Sequence, residues 1–311
     1  MRLDLAVARR FGLSRRAARE AVRAGRVDVG GQTCDEPGVE VPEDAPLAHH
    51  PDRPARRRVR TALRVLAEDP DLIVVEKPAG LLSVPTAERE KDTLLSRVSL
   101  YLQHRYRRRP YVGVVHRLDR DTSGILVFAR NRESLRALQD LFRRHAIERE
   151  YVAIVEGQPP GSGEFAAPLA GDGTATRRRV ARGGERGRRA VTRYRVEERL
   201  EGAALVAVAL ETGRTHQIRI HFAEAGHPVL GDAVYRPPHL PEPPLAAPRQ
   251  MLHARRLGFA HPRDGRPVRA VSEPPEDFAR AVAALRPRRR RKEKRPGVAG
   301  AHRRSEKRAE G

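Results

Sequence analysis

The chain has a single cysteine, Cys34, no tryptophan and only 4% aromatic residues. One thiol excludes an intrachain disulfide and any metal site built from several cysteines. So few aromatic rings argue against a binding surface made mainly of stacking platforms. No apolar run approaches membrane-spanning length, and the N-terminus reads as an amphipathic folded segment in place of a signal peptide. The expectation is a cytoplasmic protein with no membrane partner. The 12 histidines are scattered without an H-E-x-x-H pair, and the five-residue spacing of His216 and His221 is not that of two ligands on one helix face. A G-x-x-x-x-G-K-[ST] loop and a dinucleotide fingerprint are also missing. Metal, ATP and NAD therefore have no seat, and the expected chemistry uses carboxylates and arginines without a cofactor.

Acidic residues are in deficit. Forty Asp plus Glu face 62 Lys plus Arg, a formal charge of +22, with Arg far ahead of Lys. Such a field attracts phosphate backbones, which makes nucleic acid the first partner to consider. A coding bias toward Ala, Arg, Gly and Pro accounts for the Arg/Lys ratio but not for the net charge. At 311 residues and 39% hydrophobic content, the chain can hold one large domain and a small module.

Residues 1–46 read as the small module. Leu3, Ala6, Val7 and Phe11 mark a first helix, and Ser14 caps a second whose Ala17, Ala18, Ala21 and Val22 recur at helical spacing before Gly25 ends it. Arg15, Arg16, Arg19 and Arg23 share its other face, either a reader of phosphate backbones or a solvated surface. Val27 and Val29 run into the turn pair Gly30-Gly31, and Val39 and Val41 suggest a further strand. Residues 47–61, rich in Pro, Arg and His, read as a linker.

Residues 62–285 form the large domain. Leu72 to Val75 is an apolar strand running to Lys77, which precedes the turn Pro78-Ala79-Gly80 and so sits where functional groups gather. Helical spacing covers 93–108 and 132–145, and strands cover 151–157 and 205–210. The segment 158–190 is poor in core residues and carries Arg177, Arg178, Arg179, Arg182, Arg186, Arg188 and Arg189 among glycines. It reads as a basic insertion or hairpin with a mobile, RNA-facing tip, or as a solvated loop. Residues 286–311 hold 12 Lys or Arg against three Glu and almost no apolar content, which predicts a disordered basic tail. Its net charge of +9 leaves +13 on the remainder, so the basic character does not depend on the tail.

The densest chemistry lies at 114–127, VVHRLDRDTSGILV. Two β-branched runs flank a polar segment, which predicts a strand, a polar turn and a second strand, with Gly124 permitting the tight return. Asp119 and Asp121 are two residues apart and face opposite ways if extended, so spacing alone does not choose between them. A second polar cluster, Glu211 to His221, supplies Arg214 and Arg219, the latter read as emerging beside a strand. Asp119 with Arg219 is either a catalytic pair or a structural ion pair. Tyr151, which opens a strand, either meets a base, moves a proton or fills a core.

Several blocks carry a family resemblance. RLDLAVARRFGLSRRAAREAVRAGRVDVGGQ resembles the S4-type RNA-binding module, with Gly30-Gly31 where an Asn-Gly pair is usual. GVVHRLDRDTSGILVFA resembles the signature of the RluA-type RNA pseudouridine synthase family. IVVEKPAGLLSVP, YVAIVEG, ETGRTHQIRIHFAEAGHPVLGD and LHARRLGFAHP resemble its other landmarks in the expected order, over residues 68–263. The resemblance implies cofactor-free conversion of uridine to pseudouridine in structured RNA, with the target nucleotide flipped from its stack. Large-subunit ribosomal RNA is the leading substrate, with transfer RNA as the alternative and ribosomal precursor particles as a further partner. A non-catalytic RNA-binding or ribosome-assembly protein of the same fold is the competing reading, and a monomer is the default.

Carried over by residue, the resemblance makes Asp119 the catalytic residue, acting at the sugar C1′ or at the base. Tyr151 becomes the tyrosine that stacks on the base or removes the C5 proton, and Arg219 the partner of the aspartate. Arg117 and Thr122, together with His116, Arg214 and Lys77, are expected to hold the loop or contact RNA. Arg149 stands where a lysine is common. The implied architecture is α+β, with a largely antiparallel mixed sheet and a central cleft, in keeping with strands that outnumber βαβ units.

Overall fold

The structure is a computed structural model that describes residues 1–54, 63–173 and 177–287. The first unit opens with helix α1 (Leu3–Phe11), which buries Leu3, Ala6 and Val7. Helix α2 (Arg15–Arg23) starts where the Ser14 side chain accepts the Ala17 N–H at 3.1 Å, satisfying one of the orphan donors of the helix start. Strands β1 (Val27–Val29) and β2 (Gln32–Cys34) pair antiparallel through Gly30 and Gly31, both at positive φ, as a two-residue hairpin turn demands.

Strand β3 (Leu47–His49) pairs with the other edge of β1. Composition had placed these residues in the linker and a further strand at Val39 and Val41. There the chain makes a single bridge, Glu40 with Arg2, the Val39 carbonyl accepting the Leu3 N–H and buried Val41 donating to the Met1 carbonyl. The polar residues after β3 serve as a clasp: Arg53 donates to both carboxylate oxygens of Asp28, at 2.6 and 2.7 Å. Pairing across 25 residues leaves no local signature, so a Pro- and Arg-rich string read as a spacer. The rest of the expected linker, 55–62, lies outside the described residues.

The second unit is built on a ten-stranded sheet. Its elements in chain order are β4 (Arg64–Glu68), β5 (Leu72–Lys77), α3 (Leu94–Tyr106), β6 (Gly113–Val114), β7 (Ser123–Ala129), α4 (Arg132–Arg143), β8 (Glu148–Glu156) and β9 (Ser162–Phe165). There follow β10 (Leu169–Gly171), β11 (Arg178–Val180), β12 (Thr192–Leu200), β13 (Ala203–Leu210), α5 (Gln217–Glu224), β14 (Leu252–Ala260), β15 (Pro267–Val271) and α6 (Glu276–Leu285). The sheet runs β4-β5-β7-β14-β8-β13-β12-β9, with β15 also on β14 and β6 also on β7. Every pairing is antiparallel except β7 with β14, as the expected α+β architecture requires.

Central strands are covered on both faces, and their side chains alternate accordingly. Ile73 and Val75 of β5 point with Leu126, Phe128 and Tyr151 toward α3 and α5, while Leu72 and Val74 pack with Ile125, Val127 and Leu138 of α4. A third cluster sets Val152, Ile154 and Met251 against Phe278, Val282 and Leu285 of α6. Each fully buried aliphatic or aromatic side chain contributes roughly 1.5–3 kcal/mol.

Three local readings change. Gly124 does not close a turn; it lies inside β7, where the loop before it has already returned the chain. The 158–190 segment does contain a hairpin, β10 with β11, but β9 within it belongs to the main sheet beside β12. Arg219 lies on helix α5 and not beside a strand. The alternation Gln217-Ile218-Arg219-Ile220 imitates a strand, yet all four residues are buried on a helix. The Gln217 amide decides the local fold: it accepts from Thr212 Oγ1 at 2.8 Å and from the Arg214 N–H at 3.0 Å, and donates to the Val191 carbonyl and Thr192 Oγ1. Four bonds to two segments outweigh the strand preference of two isoleucines. The tail expected over 286–311 lies outside the described residues from 288 onward, and Arg286 itself pairs with Glu198.

Candidate active site

The segment Leu118–Thr122 projects as a tight loop before β7, with the Thr122 N–H donating to the Asp119 carbonyl. Four side chains from other parts of the chain hold it. Ser83 Oγ donates to the Leu118 carbonyl at 2.7 Å and accepts the Leu118 N–H at 3.0 Å. Lys77 Nζ donates to the Arg120 carbonyl at 2.6 Å, and Arg249 donates to the Asp121 carbonyl at 3.0 Å. Gln250 Nε2 donates to Thr122 Oγ1 at 3.3 Å. A loop whose carbonyls are so fully engaged presents its side chains in one arrangement.

Asp119 Oδ2 accepts from Arg219 at 3.2 Å. The guanidinium is itself gripped by Asp232, which receives Nε at 2.7 Å and the second terminal nitrogen at 2.9 Å. Asp232 is fully buried, and its carboxylate also accepts the Val234 and Tyr235 N–H groups. Burial opposes both charges; the mutual bonds prevail, raising the Arg219 pKa above its ordinary value and lowering that of Asp232. Arg219 is therefore a fixed cation with one donor aimed at Asp119. On the other side, His216 Nε2 lies 3.7 Å from Asp119 Oδ1.

These groups line a cleft of about 1090 Å³ that includes Arg117, Asp119, Tyr151, Arg178, Arg214 and Arg219. A volume of this order receives a nucleotide extruded from an RNA chain. Tyr151, on β8, forms part of the wall and is 8% exposed. Burial raises its phenol pKa, with Arg149 opposing, so the ring faces the cleft with its hydroxyl protonated at neutral pH. Arg149 donates to the Leu210 and Glu211 carbonyls while its buried Nε lacks a hydrogen-bond partner, a donor that a lysine would not carry.

The remaining expected residues divide in two. Arg117 is exposed at the cleft, and Arg214, also exposed, donates to the Arg189 carbonyl. Thr122 is buried in the loop. His116 stacks on Phe142 and accepts the Val127 N–H, and burial, with Arg149 adding, drives its pKa down to about 3. It lines the cleft as a neutral ring held by β7 and α4. Lys77 is fully buried and donates to the Arg120 carbonyl of the loop, a placement that favours the first of its two expected roles. On α2, Arg15, Arg16 and Arg23 are exposed, Arg16 in a surface pair with Glu20, whereas Arg19 pairs with buried Asp4. Sequence reasoning missed Asp232, Ser83, Arg249 and Gln250. Asp232 sits in the quoted GHPVLGD stretch, but only its pairing across 13 residues reveals its part.

One cluster escaped the search for ligand spacing: Asp69, Asp71 and His261 bring ligand atoms within 4.8 Å of one another. Its carboxylates are already engaged, Asp71 by Arg263, Asn131 and Ser134, and Asp69 by Arg266 and His261.

Residues 71–224 match the model of the RNA pseudouridylate synthase family, and residues 1–46 match the S4 domain. The chain is 40% identical over 225 residues to ribosomal large subunit pseudouridine synthase D of Zymomonas mobilis, covering 70% of each chain. The chain belongs to the RNA pseudouridylate synthase family. An uncharacterized RNA pseudouridine synthase of Mycobacterium bovis is 34% identical over 299 residues, covering 92% of this chain and 94% of its own. The solved structure of human RNA pseudouridylate synthase domain containing 4 shares the fold, with a TM-score of 0.60 and 23% identity over 71% of this chain and 92% of that one. Among the described residues, no helix is long and apolar enough to cross a membrane.

In this pseudouridine synthase, the brace from Lys77 gives a direct prediction. Its ammonium donates to the Pro78, Leu81 and Arg120 carbonyls at 2.6–2.9 Å. Burial pulls its pKa down to about 7, against the pull of the Asp121 and Asp119 carboxylates. The unfolded chain keeps the ordinary value near 10.4, so between about pH 7 and 10 the folded state binds fewer protons and stability rises with pH. Lys77→Met is expected to cost about 3 kcal/mol at pH 7, because three carbonyls lose their donor, and to flatten that pH slope. Urea denaturation of both proteins at several pH values between 7 and 9 measures each effect; an unchanged midpoint and slope would refute the assignment.

Proposed function

We propose that this pseudouridine synthase acts on large-subunit ribosomal RNA, with Asp119 as its catalytic carboxylate. The observation that carries the assignment is the Asp119–Arg219 pair at the floor of a cleft rimmed by arginines. A carboxylate oriented by a fixed guanidinium suits an isomerisation in which the N1–C1′ bond breaks, the base rotates, and a C5–C1′ bond forms as the C5 proton leaves and N1 takes one up. No atom is gained or lost overall, so neither a redox partner nor a group donor is needed.

Arg117 and Arg214 are placed to meet phosphates beside the flipped nucleotide, and Tyr151 offers the ring against which its base stacks. Exposed Arg15 and Arg23 of the S4 domain give a second contact with the backbone. The proposed setting is the cytoplasm, with the enzyme as a monomer on ribosomal RNA or its precursor particles. Relatives named as acting on the large ribosomal subunit support that substrate.

Pseudouridine mapping of total RNA from cells with and without the gene tests the substrate. The expected result is the loss of modification at large-subunit ribosomal RNA positions. Loss confined to transfer RNA would overturn the ribosomal assignment and leave the chemistry standing.

A further inference from the structure

Tyr235 belongs to none of the groups that the sequence singled out, yet it touches both side chains that face Asp119. Its ring lies 5.0 Å from the Arg219 guanidinium carbon. Its hydroxyl oxygen is 2.7 Å from His216 Nδ1 and accepts the backbone N–H of Arg178, on β11, at 3.2 Å. An oxygen receiving that N–H keeps its own proton to donate. Donation to His216 Nδ1 leaves the imidazole hydrogen on Nε2, the nitrogen turned toward Asp119 Oδ1. His216 heads α5 with φ at +58°, and its ring meets that of Tyr235 edge to face at 5.4 Å. Two restraints thus aim one nitrogen at the carboxylate oxygen that Arg219 leaves open.

We propose that Tyr235 and His216 are positioning residues for Asp119: Tyr235 fixes the His216 tautomer so that Nε2–H faces the second carboxylate oxygen, while its ring steadies Arg219 on the first. The proposal rests on Asp119 being the catalytic group. It also joins the basic hairpin to the reaction centre. Val180 of β11 and Tyr235 pack on the same buried cluster as Ile220 of α5, so a displacement of the hairpin by RNA reaches Asp119 through one ring and one imidazole.

The charged and titratable groups facing His216 are Asp119 from the loop, Arg219 from its own helix, Asp232 and Tyr235 from the segment after α5, and Arg178 from β11. Burial leads in lowering its pKa below the ordinary imidazole value, although Asp119 opposes it. That lowering favours the neutral ring. Acidification adds a proton at Nδ1, where it meets the Tyr235 O–H, and converts the neutral donor beside Asp119 into a cation that pairs with it. Turnover is expected to fall on the acid side as that proton is taken up.

The test uses the full chain and total RNA labelled with tritium at uridine C5, taken from cells lacking the gene, so that the natural substrate is present unmodified. Tritium release is followed in single turnover from about pH 5 to 8, with RNA affinity and thermal midpoint measured in parallel. Tyr235→Phe keeps the ring and removes the hydroxyl; it is expected to slow release about tenfold with affinity and midpoint unchanged. Tyr235→Leu should be slower still, because Arg219 loses its support. His216→Leu should resemble Tyr235→Phe at pH 7, while His216→Gln, which keeps a donor, should recover most of the rate and lose the acid limb that belongs to the imidazole. Wild-type rates and pH profile in Tyr235→Phe would overturn the proposal, as would equal losses in His216→Gln and His216→Leu. Asp119→Asn is run alongside: tritium release by that variant would remove the catalytic assignment itself, a failure readable separately from either result at Tyr235.

Discussion

Asp119→Asn is expected to abolish pseudouridine formation, by about 10⁴-fold or more, while RNA is still bound. Asparagine matches the aspartate in size and still accepts from Arg219 through its amide oxygen, so the loop braced by Lys77, Ser83, Arg249 and Gln250 keeps its shape. What is lost is the anionic oxygen required for attack or proton transfer. Binding should hold or tighten, because the substitution removes one negative charge from a cleft that receives phosphates. Asp121 is the control: its carboxylate favours the charge of buried Lys77, which braces the same loop, so Asp121→Asn is expected to act on stability more than on the rate. Single-turnover assays with filter binding on the same RNA separate the two effects. Retained turnover in Asp119→Asn would sink the assignment, and parallel loss of turnover and affinity would point to a purely RNA-binding role.

The largest expected effect on stability belongs to Gly124→Ala. Gly124 has φ of +118°, which side chains rarely adopt, and it lies where β7 runs beside β14. A methyl group there would stand 2.3 Å from the Ala254 carbonyl oxygen and 2.6 Å from its nitrogen. Both are backbone atoms in the middle of the sheet, so neither can swing aside. Backbone strain and forced separation of the strands together cost about 4 kcal/mol. The flanking Ser123–His253 bond at 2.9 Å would be pulled apart with them. The thermal midpoint should fall by on the order of 10 °C, if the variant folds at all. Gly161→Ala, with no atom within 4 Å of the added methyl and no positive φ, is expected to leave the midpoint unchanged. Equal midpoints for the two variants would refute the close-approach argument.

These two positions mark how far the sequence could be read. Asp119 stands out as a carboxylate among basic residues, and the family signature chooses it over Asp121. Gly124 also stands out, but a local reading assigns it to a turn, because nothing nearby in the chain announces that Ala254, 130 residues later, will press against it. Arg219 shows the same divide. Its type and its partner were legible, whereas its helix was not, since Ile218 and Ile220 alternate as in a strand until Gln217 binds two other segments.

By itself the sequence determined the chemical inventory: an excess of arginine that draws RNA, an isolated aspartate, tyrosine and arginine in a recognisable order, and strand and helix periods strong enough to define an α+β domain behind a small basic module. Tertiary structure decided which of those groups meet. The Asp232 grip on Arg219, the burial of Lys77 against the Arg120 carbonyl, the pairing of Arg19 with buried Asp4, and the Tyr235–His216 link all join residues that are not neighbours in the chain. Residue type sets what a side chain can do, but burial and the direction of its hydrogen bonds are fixed only when distant strands and helices close around it.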